Sequence, residues 1–241
     1  MTVLDLAISR LHSRLFQRLP PVPQTYPHQL EVERKFTPTK ASIAHLRKNN
    51  GTPPFASHVY LGRTVIKEFY LNSACGSLFR NGIYIRVRNG LFEAKIRKGG
   101  DYINSTFLEL QGRSEIMKLV ADAHLQPGDL QPHGWMRTLR EEWRVDGFNV
   151  AVDGTLFGDW KECRPTYPQR PHVVGEVELC QNAELGGHKN AGKEMDERIE
   201  GFMGRYRWAF PSSGGKVKGK LTAWDSWERA DNSKTMPHAS V

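Results

Sequence analysis

No apolar run in this 241-residue chain approaches the roughly 18 residues that crossing a bilayer requires, so the reading is a soluble protein without a membrane partner. Cysteine is scarce: Cys75, Cys163 and Cys180 are odd in number, far apart and without a Cys-x-x-Cys spacing. That pattern argues for a reducing compartment and against a disulfide scaffold or a thiolate metal site. The nine histidines show no clustered ligand spacing, and no glycine-rich loop of the kind that cradles nucleotide phosphates is present. There are no internal repeats at fixed spacing. These absences leave a single ordinary core and a chemistry built on something other than imidazole, thiol or a phosphate-binding loop.

What the chain has in excess is positive charge, +8 overall. Such a balance attracts anions, whether nucleic acid, an acidic membrane surface or a phosphorylated small molecule, and charge alone does not choose among them. Position does. Residues 1–28 read as an extension. Leu4, Ile8, Leu11, Leu15 and Leu19 recur near helical spacing, Arg10, Arg14 and Arg18 form a separate stripe, and Pro20, Pro21, Pro23 and Pro27 end any helix. An Arg-rich start of this kind reads either as a mitochondrial presequence or as a helix packed on the domain, so the expected location is cytoplasmic, or mitochondrial if the segment is a presequence. Residues 29–228 read as one domain and 229–241 as a flexible tail.

Within the domain, alternation predicts strands over Leu30–Phe36, Gly82–Asn89, Leu91–Arg97, Ser105–Leu110, Arg144–Asp153 and Val173–Leu179. Helices are expected over Lys40–Lys48, Ser114–Leu125, Lys193–Trp208 and Lys216–Trp227. Asn89-Gly90 between two alternating runs is a hairpin signal. The class is mainly antiparallel β with a few covering helices.

The alternate residues are informative because they are charged with both signs. Glu31, Glu33 and Lys35 share one face of their strand, with Val32 and Phe36 opposite and Arg34 interrupting the apolar row. Arg86 and Arg88 share a face, as do Glu93, Lys95 and Arg97, and again Glu176 and Glu178. On one strand such charges simply face water. Repeated over several strands with both signs, they raise a second reading: if the sheet closes into a barrel, the charged faces meet in an interior tunnel jacketed by helices. A dry tunnel of acids and bases is costly. A polyanion gripped by Lys and Arg, together with Mg²⁺ or Mn²⁺ held by carboxylates, resolves that cost.

In order along the chain stand Glu31-Val32-Glu33-Arg34-Lys35-Phe36, Arg86 and Arg88, Glu93 and Lys95, Glu109, Arg140 and Trp143, Asp153, Gly175-Glu176-Val177-Glu178, and Lys220 before Leu221 and Trp224. This ordered set resembles the CYTH, or triphosphate tunnel, superfamily, and its opening resembles the thiamine triphosphatase branch. The resemblance implies an antiparallel barrel of about eight strands enclosing a triphosphate bound by Lys35, Arg86, Arg88, Lys95, Arg140 and Lys220. It implies a metal-binding acidic set of Glu31, Glu33, Asp153, Glu176 and Glu178. Lys95, Glu109 and Glu178 are the expected catalytic residues: Lys95 stabilises charge on the leaving diphosphate, Glu109 assists among the bases, and Glu178 orients the attacking water. An aromatic that cradles the thiamine ring is implied at Tyr84, where the thiamine enzymes carry tryptophan. The branch also carries a Tyr-Tyr-Asp run whose first tyrosine polarises a lysine. The equivalent here, Phe69-Tyr70-Leu71, lacks that hydroxyl unless Tyr70 supplies it.

The expected function is therefore hydrolysis of thiamine triphosphate to thiamine diphosphate and phosphate by a monomer that does not bind nucleic acid. Inorganic triphosphate hydrolysis, adenylyl cyclase or RNA 5′-triphosphatase chemistry on the same barrel, and a noncatalytic polyphosphate-binding module are the alternatives.

Overall fold

The computed structural model describes residues 28–101, 103–159, 161–182, 190–211 and 217–235. The extension expected at 1–28 falls outside these apart from His28. Nine strands run in the order β1 (Gln29–Phe36), β2 (His58–Ser73), β3 (Ile83–Arg88), β4 (Leu91–Gly100), β5 (Asn104–Gln111), β6 (Leu130–Val145), β7 (Phe148–Asp159), β8 (Arg164–Pro165) and β9 (His172–Asn182). Five helices accompany them: α1 (Lys40–Lys48), α2 (Ser77–Arg80), α3 (Arg113–Asp122), α4 (Ala191–Arg205) and α5 (Lys220–Thr235). The sheet is ordered β6-β2-β3-β4-β5-β1-β9-β7-β8, and β6 also pairs with β7. Eight antiparallel strands thus close into a barrel, with the short β8 outside on β7.

Three strands escaped the sequence pattern, the two-residue β8 and the two long strands β2 and β6. β2 and the first half of β6 carry Gly62, Pro132 and Gly134 and two register shifts, which blur period two. The segment Arg144–Asp153, expected as one strand, is instead the end of β6, a tight turn and the start of β7. Asp146 and Gly147 hold the left-handed φ values of 49° and 85° that such a turn needs. Asn89 and Gly90, at 47° and 87°, make the expected hairpin. α5 begins at Lys220 and continues past residue 228 to Thr235.

Apolar alternates point outward and are covered by helices. α1 starts with a reciprocal Thr39–Ser42 capping box and buries Leu46. α4 presents Met195, Ile199 and Phe202, one stripe of an α-helix, to Val32, Phe36, Phe148, Val150 and Val177 of β1, β7 and β9. Full burial of each such side chain contributes about 1.5–3 kcal/mol. Arg34, the polar interruption on the outer face of β1, reaches the same helix, 2.8 Å from Asp196. On the other side, Leu78 of α2 and Ile116 and Val120 of α3 cover Leu71, Ile85, Val87, Ala94 and Leu110. The opposite alternates are left to face inward. α5 instead meets inward-facing alternates: Ala223 and Trp224 pack on Tyr70, Met136 and Phe157, with Phe79, Tyr84 and Leu221 beside them.

Candidate active site

Period two on β1, β3, β4, β5, β6 and β9 aims charge of both signs into one cavity of roughly 360 Å³. Lys35, Arg86, Arg88, Lys95, Arg140 and Lys220 all line it, together with Glu31, Glu33, Glu93, Glu109, Glu176, Glu178 and Tyr84. The six bases named from the sequence therefore converge. Each lies against a carboxylate. Lys95 pairs with Glu31, with Glu33 at 3.0 Å and with Glu109 at 3.4 Å. Lys35 pairs with Glu33. Arg86 Nε donates to Glu93 at 2.7 Å, and Arg88 Nε donates to Glu68 at 3.0 Å. Arg140 donates through Nε and Nη2 to both oxygens of Asp153, at 2.7 and 2.8 Å.

The five acids grouped from the sequence divide in two. Glu31, Glu33 and Glu178 bring one oxygen each within 4.8 Å of one another. β1 and β9 place them there, since Glu33 stands opposite Glu178 in register. Asp153 and Glu176 belong to a different group: Asp153 is held by Arg140 and by Lys220 at 2.9 Å, and Glu176 lies 3.3 Å from Arg140. Their separation follows from β7, where Asp153 stands directly opposite Arg140.

Electrostatics distinguishes the groups further. Burial pushes the Glu178 carboxyl up to about 7, and Glu176 and Glu33 add to it. Burial likewise raises Glu31 well above the carboxylate range, with Lys95 only partly opposing. Burial would raise Glu33 too, but Lys95 and Lys35 outweigh it and hold this carboxyl low. In Asp153 burial is outweighed by Lys220 and Arg140. Three carboxylates this close repel one another, and a cation among them would relieve that repulsion. Hard oxygen donors at this spacing fit Mg²⁺ or Mn²⁺.

Two participants, Glu68 and Phe107, were missed. Glu68, with no exposed side-chain surface, binds Arg88 and sits 3.1 Å from Lys220. Tyr70 lines the cavity while Phe69 and Leu71 pack outside, so the tyrosine at this place is Tyr70 and a hydroxyl is present after all. Phe107 lines the cavity beside Tyr84, at 6.1 Å between ring centres. The signal was the alternation Glu68-Phe69-Tyr70-Leu71-Asn72, legible only once β2 is recognised as a strand. Lys220 enters from the first turn of α5, just after Gly219, where an added Cβ would stand 3.2 Å from Lys35 Cε.

No family model matches the chain, and no curated protein matches it. Solved structures do. HpAC1 from Hippeastrum, named for adenylyl cyclase and described as having a dominant triphosphatase activity, superposes with a TM-score of 0.50 at 17% identity, covering 82% of this chain and 96% of its own. The PH1819 protein of Pyrococcus horikoshii OT3 gives 0.52 at 13% identity, covering 83% of this chain and 99% of its own. Identities this low speak for the fold. Eight strands closed around a two-signed tunnel, aligned along nearly the whole of both neighbours, show that the chain shares their fold.

Proposed function

We propose that this protein hydrolyses the terminal phosphate of a small triphosphate with the help of a divalent cation. One observation carries the reading: the carboxylates of Glu31, Glu33 and Glu178 and a row of Lys and Arg side chains converge on one cavity. A noncatalytic phosphate-binding module needs the bases and gains nothing from three mutually repelling acids. The dominant triphosphatase activity described for HpAC1 agrees with this reading.

In the proposed reaction, water forms a bond to the terminal phosphorus and the bond to the leaving diphosphate oxygen breaks. Arg86 and Arg88 on β3, Lys95 on β4, Arg140 on β6, and Lys35 and Lys220 hold the phosphate oxygens. Guanidinium forks suit the bidentate contacts and ammonium groups take the developing charge. The carboxylates already paired with these bases, Glu93, Glu68, Glu109 and Asp153, pre-orient them, so little reorganisation accompanies the chemistry. Glu31, Glu33 and Glu178 would hold the cation, which would polarise phosphate oxygens and acidify water. Glu178, on β9, is the member of the trio that we assign to positioning the attacking water.

Tyr84, at the end of the cavity where α5 and Phe79 meet, makes thiamine triphosphate the organic substrate to test first. A second reading, inorganic triphosphate, draws on Arg97, whose guanidinium already lies 5.8 Å from the Tyr84 ring centre. Phosphate release should be measured from a panel of triphosphates with Mg²⁺, with Mn²⁺ and with excess chelator. Turnover of at least one triphosphate that chelator abolishes is expected. Equal release with chelator, or none from any substrate, removes the proposal.

A further inference from the structure

We infer that Arg97 is a specificity-determining residue, which disfavours triphosphates bearing a cationic head group and favours ligands whose negative charge continues beyond the third phosphate. The inference deepens the triphosphate reading above and rests on it.

Arg97 follows Lys95 on the inward face of β4, so the two cationic side chains leave the strand about 6.7 Å apart. Both lie over one ring: Lys95 Nζ is 5.2 Å from the centre of Phe107 and Arg97 Cζ is 5.6 Å from it. Arg97 also covers Tyr84, the second aromatic at this end of the cavity. Its position is fixed from three directions. The backbone N–H of Arg97 donates to the Gly82 carbonyl at 2.8 Å, Nη1 donates to the Asp101 carbonyl at 3.0 Å, and Nη2 donates to the Tyr84 hydroxyl at 3.3 Å. Gly82 permits this approach, because a Cβ there would stand 2.9 Å from Arg97 Cβ.

An aromatic box attracts a cation through the negative faces of its rings. Here those faces are already turned to a guanidinium that the backbone holds in place. A thiazolium entering the box therefore meets a like charge where it would need an open ring. A fourth phosphate entering the same space meets the next cation in the row, with a fork suited to phosphate oxygens.

The test compares wild type with Arg97→Gln and Arg97→Lys on thiamine triphosphate, inorganic triphosphate and inorganic tetraphosphate. Steady-state turnover is paired with calorimetric Kd, and thermal melting checks that each variant folds. Arg97→Gln should lower KM and Kd for thiamine triphosphate about three- to tenfold and raise them by a similar factor for tetraphosphate. Inorganic triphosphate should change less than about twofold, and Arg97→Lys should keep most of the wild-type discrimination. Unchanged or weakened thiamine triphosphate binding in a folded Arg97→Gln protein overturns the inference while leaving triphosphate hydrolysis standing. The expected Kd shifts without turnover of any substrate would sink hydrolysis and keep Arg97 as the selector. Failure of every ligand to bind overturns both.

Discussion

Glu68 has no exposed side-chain surface, yet it neutralises Arg88 and Lys220 at once. Removing one member of a buried charge cluster leaves the others uncompensated, at a cost of about 3–5 kcal/mol. Glu68→Gln should therefore lower the free energy of urea unfolding by that order at pH 7. Burial alone would raise the Glu68 pKa, but Lys220, Arg88 and Arg86 hold it well below the ordinary value. A carboxyl depressed in this way stabilises above its unfolded pKa, about 4.3, and loses that contribution as pH falls toward its folded value. The stability gap between wild type and Glu68→Gln should consequently narrow between pH 5 and pH 3, and a gap constant over that range would refute the assignment. For the carboxylate trio the readout is different. Glu33→Gln and Glu178→Gln should each reduce phosphate release by about 100-fold while circular dichroism stays native. Full activity in both would sink the trio. These acids could be located from the sequence because Glu-x-Glu declares a strand face. Glu68 could not, since its strand was not recognised.

The strands that could be read were short ones with clean alternation, β1, β3, β4, β5 and β9. β2 and β6 are each 16 residues long, shift register against one another, and carry a glycine or proline where alternation should show. Asp146-Gly147 was a turn signal hidden inside an apparently continuous alternating run. Pairing order was beyond reach as well, because which strand lies beside β1 depends on residues some 150 positions away in sequence. One tight contact tests the packing of that junction. Gly175 stands opposite Phe36, and a Cβ on it would fall 2.2 Å from the ring. Gly175→Ala should cost about 1–3 kcal/mol by overpacking, seen as a lower melting temperature. Phe36→Leu in the same protein should recover part of that loss. If the two changes prove additive, the clash is not where the structure puts it.

At the scale of the whole molecule, the closed barrel was legible because charge of both signs recurred at period two on several separate strands, which one solvent-facing sheet does not require. The division of the acids into a cation-binding trio and an Arg140-bound pair was not, because it depends on cross-strand register. A tunnel that needs both cation and polyanion should be stabilised most by the two together. Mg²⁺ with inorganic triphosphate at 100 times Kd should add about 2.7 kcal/mol of apparent stability, and triphosphate with chelator much less. Equal shifts in both conditions would mean that the anion binds without the cation. The β1–β9 junction has one more consequence, for the route by which the chain reaches its native state. It joins the first strand to the last, and it sets Glu33 directly against Glu178, with Lys35 opposite Glu176 in the next inward pair. Like charges directly opposed across strands weaken pairing, and contacts between distant residues form late. The seam that finishes the barrel is thus the one its own charges resist, and divalent cations should speed refolding from urea in wild type but not in Glu178→Gln.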